Sequence, residues 1–216
     1  MQEVTTNNGQ IDVSSVVLTD ACKYYNGRTV FENLSLKLNA GDALAITGPN
    51  GSGKSTLIKT IIGYVPLSSG KIEWSTSQSD FNPEHIYKAC SLAAPYLDLF
   101  EDFTLLENVR IFGDLKGFRD GMKPDDVISF MELEHARDKK FKAFSSGMRQ
   151  RTKLGLSFCS KASILLFDEP LSNLDTKGYD WYQRHTSGNM NHQIVVVGSN
   201  IEGPETHFCN KRIQLG

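Results

Sequence analysis

Polar and apolar positions change rhythm repeatedly along the chain. Val16 to Asp20 and Leu34 to Leu38 alternate or cluster branched residues on either side of Asn26-Gly27, which predicts two strands about a turn. Ala43 to Thr47 is a short apolar strand, and the segment LIKTIIGYV that follows the next loop has helical apolar spacing ending near Gly63 and Pro66. Lys71 to Trp74 and Ala89 to Ala93 are further strand candidates. Between about Pro95 and Cys159 the period becomes helical. Thr104 to Phe112 carries Thr104 as its N-cap, and Pro124 to Leu133 opens on a proline suited to a first helical position. Strands return at Ile164 to Phe167 and Ile194 to Val197, apolar on both faces as in a buried parallel sheet, with a helix expected over Tyr179 to Met190 and a last strand-like KRIQL. This alternation is the βαβ rhythm of an α/β doubly wound fold with a helical insert.

Composition narrows the setting. The 216 residues suit one large domain, and 23 basic against 25 acidic residues leave a net charge of −2, so no global basic field favours nucleic acid. Cys22, Cys90, Cys159 and Cys209 lie far apart without zinc-like spacing and are expected to be reduced thiols. The polar opening MQEVTTNNGQIDVSS has no secretory pattern, and no apolar run approaches the ~18 residues of a membrane-spanning helix, so a cytoplasmic protein is expected. If it works at a membrane, another chain must supply the spans.

Two segments carry chemistry. Gly48-Pro49-Asn50-Gly51-Ser52-Gly53-Lys54-Ser55 satisfies G-x-x-x-x-G-K-[ST] between a predicted strand and a predicted helix, with Thr56 next. Its backbone N–H groups can curl around phosphate oxygens, Lys54 can neutralise the β- and γ-phosphates, and Ser55 can offer a hydroxyl to Mg²⁺. The strand Ile164 to Phe167 runs into Asp168-Glu169, which suits Asp168 to the Mg²⁺ shell and Glu169 to polarising a water.

A third segment, FSSGMRQR from Phe144 to Arg151, precedes that acidic strand, and Ser172-Asn173-Leu174-Asp175 follows it. In this order the motifs resemble the nucleotide-binding domain of ATP-binding cassette (ABC) ATPases over nearly the whole chain. The resemblance implies a P-loop NTPase core with a mostly parallel central sheet, an N-terminal antiparallel β-subdomain and an α-helical insert of about 95–160, all in one domain of residues 1–216. It implies ATP and Mg²⁺ as cofactors. Ser145, Ser146, Gly147 and Met148 stand in the last four positions of the family signature, which covers the γ-phosphate held by another subunit. Asp175 matches the D-loop aspartate, and Tyr25 the aromatic that stacks on adenine, with Tyr24 an alternative after a one-residue slip. The implied partners are a second ABC ATPase subunit, in a homodimer or heterodimer, and a separate transmembrane permease, which would place the chain at the inner face of a membrane.

The family pattern is broken twice. Its Q-loop glutamine aligns with Pro95, with no glutamine between Gln78 and Gln150, and its switch histidine aligns with Asn200. Asparagine can hydrogen-bond a phosphate or water but carries no positive charge. Because Lys54, Ser55, Asp168 and Glu169 are retained, the expectation is an ATPase, slower than relatives with every switch residue. The alternative is a slow-turnover ATP-gated regulatory or assembly module. Tyr96, Leu97, Leu99 and Phe100, followed by Thr104 to Phe112, supply an apolar surface near the place where the family docks its permease.

Overall fold

The computed structural model describes residues 11–78, 81–187, 190, 192–200 and 203–216. Strands β1 (Val13–Tyr25) and β2 (Arg28–Asn39) form a hairpin, and β4 (Ser69–Thr76) pairs antiparallel with the other edge of β1. The Asn26-Gly27 turn is where the sequence puts it, with both residues at positive φ (47° and 78°). The strands are longer than the apolar clusters suggested, because backbone pairing continues past those clusters, through buried Ala21, Cys22 and Lys23 of β1 and buried Phe31 of β2 as well as through exposed polar residues.

The second sheet is parallel and ordered β5 (Cys90–Ala93), β6 (Ile164–Asp168), β7 (Ile194–Ser199), β3 (Ala43–Thr47), β8 (Lys211–Gln214). Each of β3, β6 and β7 is buried from end to end, as their uninterrupted apolar runs require. Period-two alternation divides their side chains between two cores. Ile164, Leu166, Ile194 and Val196 join Leu44 and Ile46 against α1 (Lys54–Ile61) and the antiparallel sheet. Leu165, Phe167, Val195 and Val197 pack against Leu154 and Phe158 of α4 (Ser146–Cys159) and Trp181 and Tyr182 of α5 (Thr176–Thr186).

A third core joins α2 (Leu105–Lys116), α3 (Pro124–Phe130) and one face of α4. Thr104 caps α2 as expected, in a capping box with Glu107. The helix expected over Tyr179 to Met190 instead begins at Thr176, where Asp175 caps it, and closes at Thr186; residues 188–189 of that expectation lie outside the described residues. The four cysteines are free, and burial pushes the thiols of Cys90, Cys159 and Cys209 up to about 12, which leaves them protonated at neutral pH. Among the described residues no helix is long and apolar enough to cross a membrane.

Candidate functional site

The strand order brings separate motifs to one end of the parallel sheet. The loop after β3, the acidic pair closing β6 and Asn200 after β7 leave the carboxyl ends of three neighbouring strands, where α/β sheets bind ligands. The loop from Gly48 to Gly53 turns on positive φ at Gly48, Gly51 and Gly53, with Gly53 in the left-handed region as N-cap of α1. A side chain at Gly48 would strike the Leu215 carbonyl, and one at Gly53 would strike Val30. Glycine is therefore required at both by conformation and by space.

Lys54 is buried and folds back over the loop, donating from Nζ to the Gly48 carbonyl at 2.9 Å and the Pro49 carbonyl at 3.1 Å. The Ser52 Oγ is buried with no hydrogen-bond partner. An ammonium bound only to carbonyls, beside an orphaned hydroxyl at a helix N-terminus, suits an anion.

A cavity of about 510 Å³ opens over this loop, lined by Tyr25, Arg28, Val30, Asn50, Gly51, Gly53, Lys54, Ser55, Thr56 and Glu169. That volume is ordinary for a small-molecule site of ~300–1,000 Å³. Tyr25 lines the cavity and is 48% exposed, whereas Tyr24, its neighbour on the strand, does not line it. Lys23 steadies the Tyr25 ring, its Nζ lying 4.7 Å from the centroid. Arg28, paired with Tyr25 across the hairpin, was missed in the sequence. Its only signal there is its place in KYYNGR.

Asp168 is 2% exposed at the end of β6, and Ser55 lies in the first turn of α1. No group of three His, Cys, Asp or Glu could hold a metal among the described residues. One carboxylate and one hydroxyl next to a phosphate-binding loop still fit Mg²⁺, which keeps several waters and takes phosphate oxygens from its substrate. Tyr96, immediately after Pro95, places its hydroxyl against Asp168. Burial, then that carboxylate, pushes the phenol well above its ordinary value. Lys59 lies over the same ring, 4.3 Å from its centroid. The Pro95 carbonyl accepts from Lys153 Nζ at 3.4 Å.

Glu169 adopts φ 48°, an uncommon conformation for a residue with a side chain, and its amide donates to the Gly198 carbonyl at 2.8 Å. Asn200 Nδ2 donates to Asn50 Oδ1 at 3.5 Å, so the candidate switch residue reaches the glycine-rich loop directly. Asn200 and Glu169 also share a smaller cavity of about 260 Å³ with Glu205. Glu205 was not visible as a site residue in the sequence. Burial, with the nearby charges of Glu169 and Asp168, raises its carboxyl pKa against the opposing hydrogen bonds from Ser199 and Leu171.

The signature stretch lies elsewhere. Ser145 caps α4, its Oγ accepting from the Met148 amide at 3.2 Å, and a Cβ at Gly147 would come 3.0 Å from the Asn173 carbonyl. Ser145, Ser146, Gly147 and Met148 line a cavity of about 540 Å³ with Asn173, Leu174 and Asp175. This cavity has no lining residue in common with the one over the phosphate loop. Asp175 caps α5, accepting from the Gly178 amide at 2.8 Å. The two arginines of FSSGMRQR are held within the chain, Arg149 by Glu101 at 3.0 Å and Arg151 by Glu132 at 3.3 Å.

Comparison with known proteins bears on the family and the fold. The ABC transporter family matches residues 31–172. The sn-glycerol-3-phosphate import ATP-binding protein UgpC of Psychromonas ingrahamii is 31% identical over 175 residues, covering 76% of this chain and 45% of its own. The lactose transport ATP-binding protein LacK of Rhizobium radiobacter is 32% identical over 173 residues, covering 76% and 46%. The chain thus spans about half the length of these curated relatives. Among solved structures, the ATP binding subunit of an ABC transporter superposes with a TM-score of 0.80 at 22% identity, over 93% of this chain and 85% of that one. A bacterial Atm1-family ABC exporter with ATP bound superposes with a TM-score of 0.77 at 21% identity, over 95% and 37%. At these identities the structural likeness speaks to the fold.

Proposed function

The chain belongs to the ABC transporter family, and from that premise we propose that it is the ATP-binding, ATP-hydrolysing subunit of a transporter whose membrane-spanning part is a separate permease. The observation that carries this reading is the separation of the two cavities: the phosphate loop lines one and the signature with the D-loop lines the other. Each is half of an ATP site, and a second ABC subunit supplies the complementary half.

Within the proposed site, Tyr25 stacks on adenine, and the segment from Gly48 to Thr56 wraps the triphosphate. Lys54 exchanges its loop carbonyls for phosphate oxygens. Ser55 and Asp168 hold Mg²⁺, which supplies charge neutralisation at the β- and γ-phosphates. Glu169 orients and polarises water, and Asn200 bonds the γ-phosphate in place of a histidine. Ser145, Ser146, Gly147 and Met148 cover the partner's γ-phosphate, the helix α4 pointing its positive end at the anion, and Asp175 lies at the junction between subunits.

The third core supports treating about 95–160 as a helical subdomain of one ABC domain. Exposed Tyr96, Leu97 and Phe100, beside an apolar cavity of about 190 Å³ formed by Leu92, Leu97, Leu99, Phe112 and Leu156 among others, support a permease-docking surface there. Docking places the chain at the inner face of a membrane.

The test is Glu169→Gln with ATP and Mg²⁺, followed by size-exclusion chromatography. A dimer that forms only with nucleotide, and is lost on adding Ser145→Ala or Gly147→Val, is the expected result. Dimerisation indifferent to ATP and to both signature residues overturns the proposal.

A further inference from the structure

One side chain spans the two loops that flank the hydrolytic site. Glu205, 6% exposed, accepts from the Leu171 amide at 3.0 Å through Oε1 and from the Ser199 hydroxyl through Oε2. Leu171 lies just beyond Glu169 and Pro170, and Ser199 immediately precedes Asn200. Both carboxylate oxygens are thus committed, one to each loop. The backbone of Glu205 is fixed as well, its carbonyl accepting from the buried Tyr182 hydroxyl at 3.0 Å.

The energetics argue against a space-filling role. Nearby charges on Glu205 come from Glu169 and Asp168, both of like sign, and no Lys or Arg forms an ion pair with it among the described residues. Burying a carboxylate without a cation costs free energy, and a neutral residue of similar size would fill the same volume at lower cost. The gain lies at Glu169, whose φ of 48° persists only if its surroundings hold it. Those surroundings are the Gly198 carbonyl, the side chain of Gln150 and, one turn on, Glu205.

We propose that Glu205 is a positioning residue for hydrolysis: it holds the turn bearing Glu169 and the strand end bearing Asn200 at a fixed separation, without itself touching the nucleotide. This rests on the ATPase reading above. Losing the strut lets the water-polarising carboxylate and the γ-phosphate contact drift relative to each other, and small misplacements cost up to roughly a hundredfold in rate. ATP binding, which the phosphate loop and Tyr25 carry, does not depend on it.

The experiment compares Glu205→Leu, which removes both acceptors, with Glu205→Gln, which keeps a carbonyl for the Leu171 amide and an amide group that Ser199 can accept from. E205L is expected to lower kcat by roughly ten- to a hundredfold with the KM for ATP near wild type, and to speed hydrogen exchange in residues 171–173. E205Q is expected to recover most of both. Three results overturn the proposal: unchanged exchange over 171–173 in E205L, a loss of ATP affinity in step with kcat, or E205Q as defective as E205L. If the wild-type protein does not turn over ATP, the ATPase reading fails, while the exchange comparison by itself decides whether Glu205 holds the two loops.

Discussion

Gln150 Nε2 donates to the Pro170 carbonyl at 2.9 Å and to the Glu169 carbonyl at 3.4 Å, so a residue of FSSGMRQR is bonded to the turn that carries the candidate water-polarising glutamate. Gln150 is 1% exposed and lies on α4, whose N-terminus lines the signature cavity. One helix thus touches both proposed half-sites: its first turn would face the partner's nucleotide in the proposed dimer, and its second turn holds the turn of this chain that carries Glu169. Replacing Gln150 with Met keeps the volume and strands two carbonyls. We expect a loss of about 1–3 kcal/mol in stability by urea unfolding, with a fall in kcat beyond what the folded fraction explains. Wild-type turnover in Q150M would separate the two half-sites energetically.

The phosphate loop is sensitive to a single methyl group. Gly53 combines φ 106° with a wall formed by Val30. Gly53→Ala should place about 1–3 kcal/mol of strain on the loop, which is roughly tenfold or more in ATP affinity if the strain falls on the bound state. Isothermal titration with ATP measures this, and an affinity equal to wild type would show that the loop relaxes freely.

At the switch position the asparagine can be exchanged for the family's usual residue. Asn200 reaches the phosphate loop through Asn50 at 3.5 Å. Asn200→His adds a group able to carry positive charge beside the γ-phosphate, and turnover should rise, by up to roughly a hundredfold if the full worth of a positioned electrostatic group is recovered. Steady-state ATPase rates at saturating MgATP are the measurement. An unchanged or lower rate counts against Asn200 as the γ-phosphate contact.

Asp42 gives the fold an acid-sensitive joint. Burial acts to raise its pKa, but the Asn39 amide at 2.7 Å and the Lys211 ammonium at 2.9 Å outweigh it and hold the carboxyl below its ordinary value. A depressed folded pKa means stability that is fully present above the unfolded value of about 3.9 and is lost as pH falls through the folded value. Wild type should therefore be more stable than Asp42→Asn at pH 7. The gap should shrink as urea titrations are repeated from about pH 5 towards pH 3. A gap independent of pH would place the effect in packing.

Features with local causes were legible along the chain. The phosphate loop follows from glycines at fixed offsets before Lys54, and the start of α2 follows from Thr104 and Glu107 three residues apart. The strands β3, β6 and β7 are apolar on both faces, and only a sheet covered on both sides can bury such runs. The hairpin strands were underestimated because backbone pairing extends them through Ala21 to Tyr25 and Arg28 to Asn33, where register shifts break the polar–apolar alternation that marks a strand. The helix α5 was displaced towards the N-terminus because the cap at Asp175, read as a D-loop residue, also starts the helix.

The sequence by itself determined the family, the order of its motifs and which residue types stand as candidates to hold a phosphate, a metal and a water. Those follow from near neighbours in the chain, where spacing dictates geometry. Tertiary structure alone decided that Tyr25 rather than Tyr24 lines the cavity, because strand alternation separates the two rings but only the docking of the antiparallel sheet selects the face. It alone set Tyr96 against Asp168, Gln150 against Pro170, and Glu205 between Leu171 and Ser199. Most of these partners are tens of residues apart, and a hydrogen bond between distant residues leaves no period or motif in a sequence, since only the packing of whole elements brings donor and acceptor within reach.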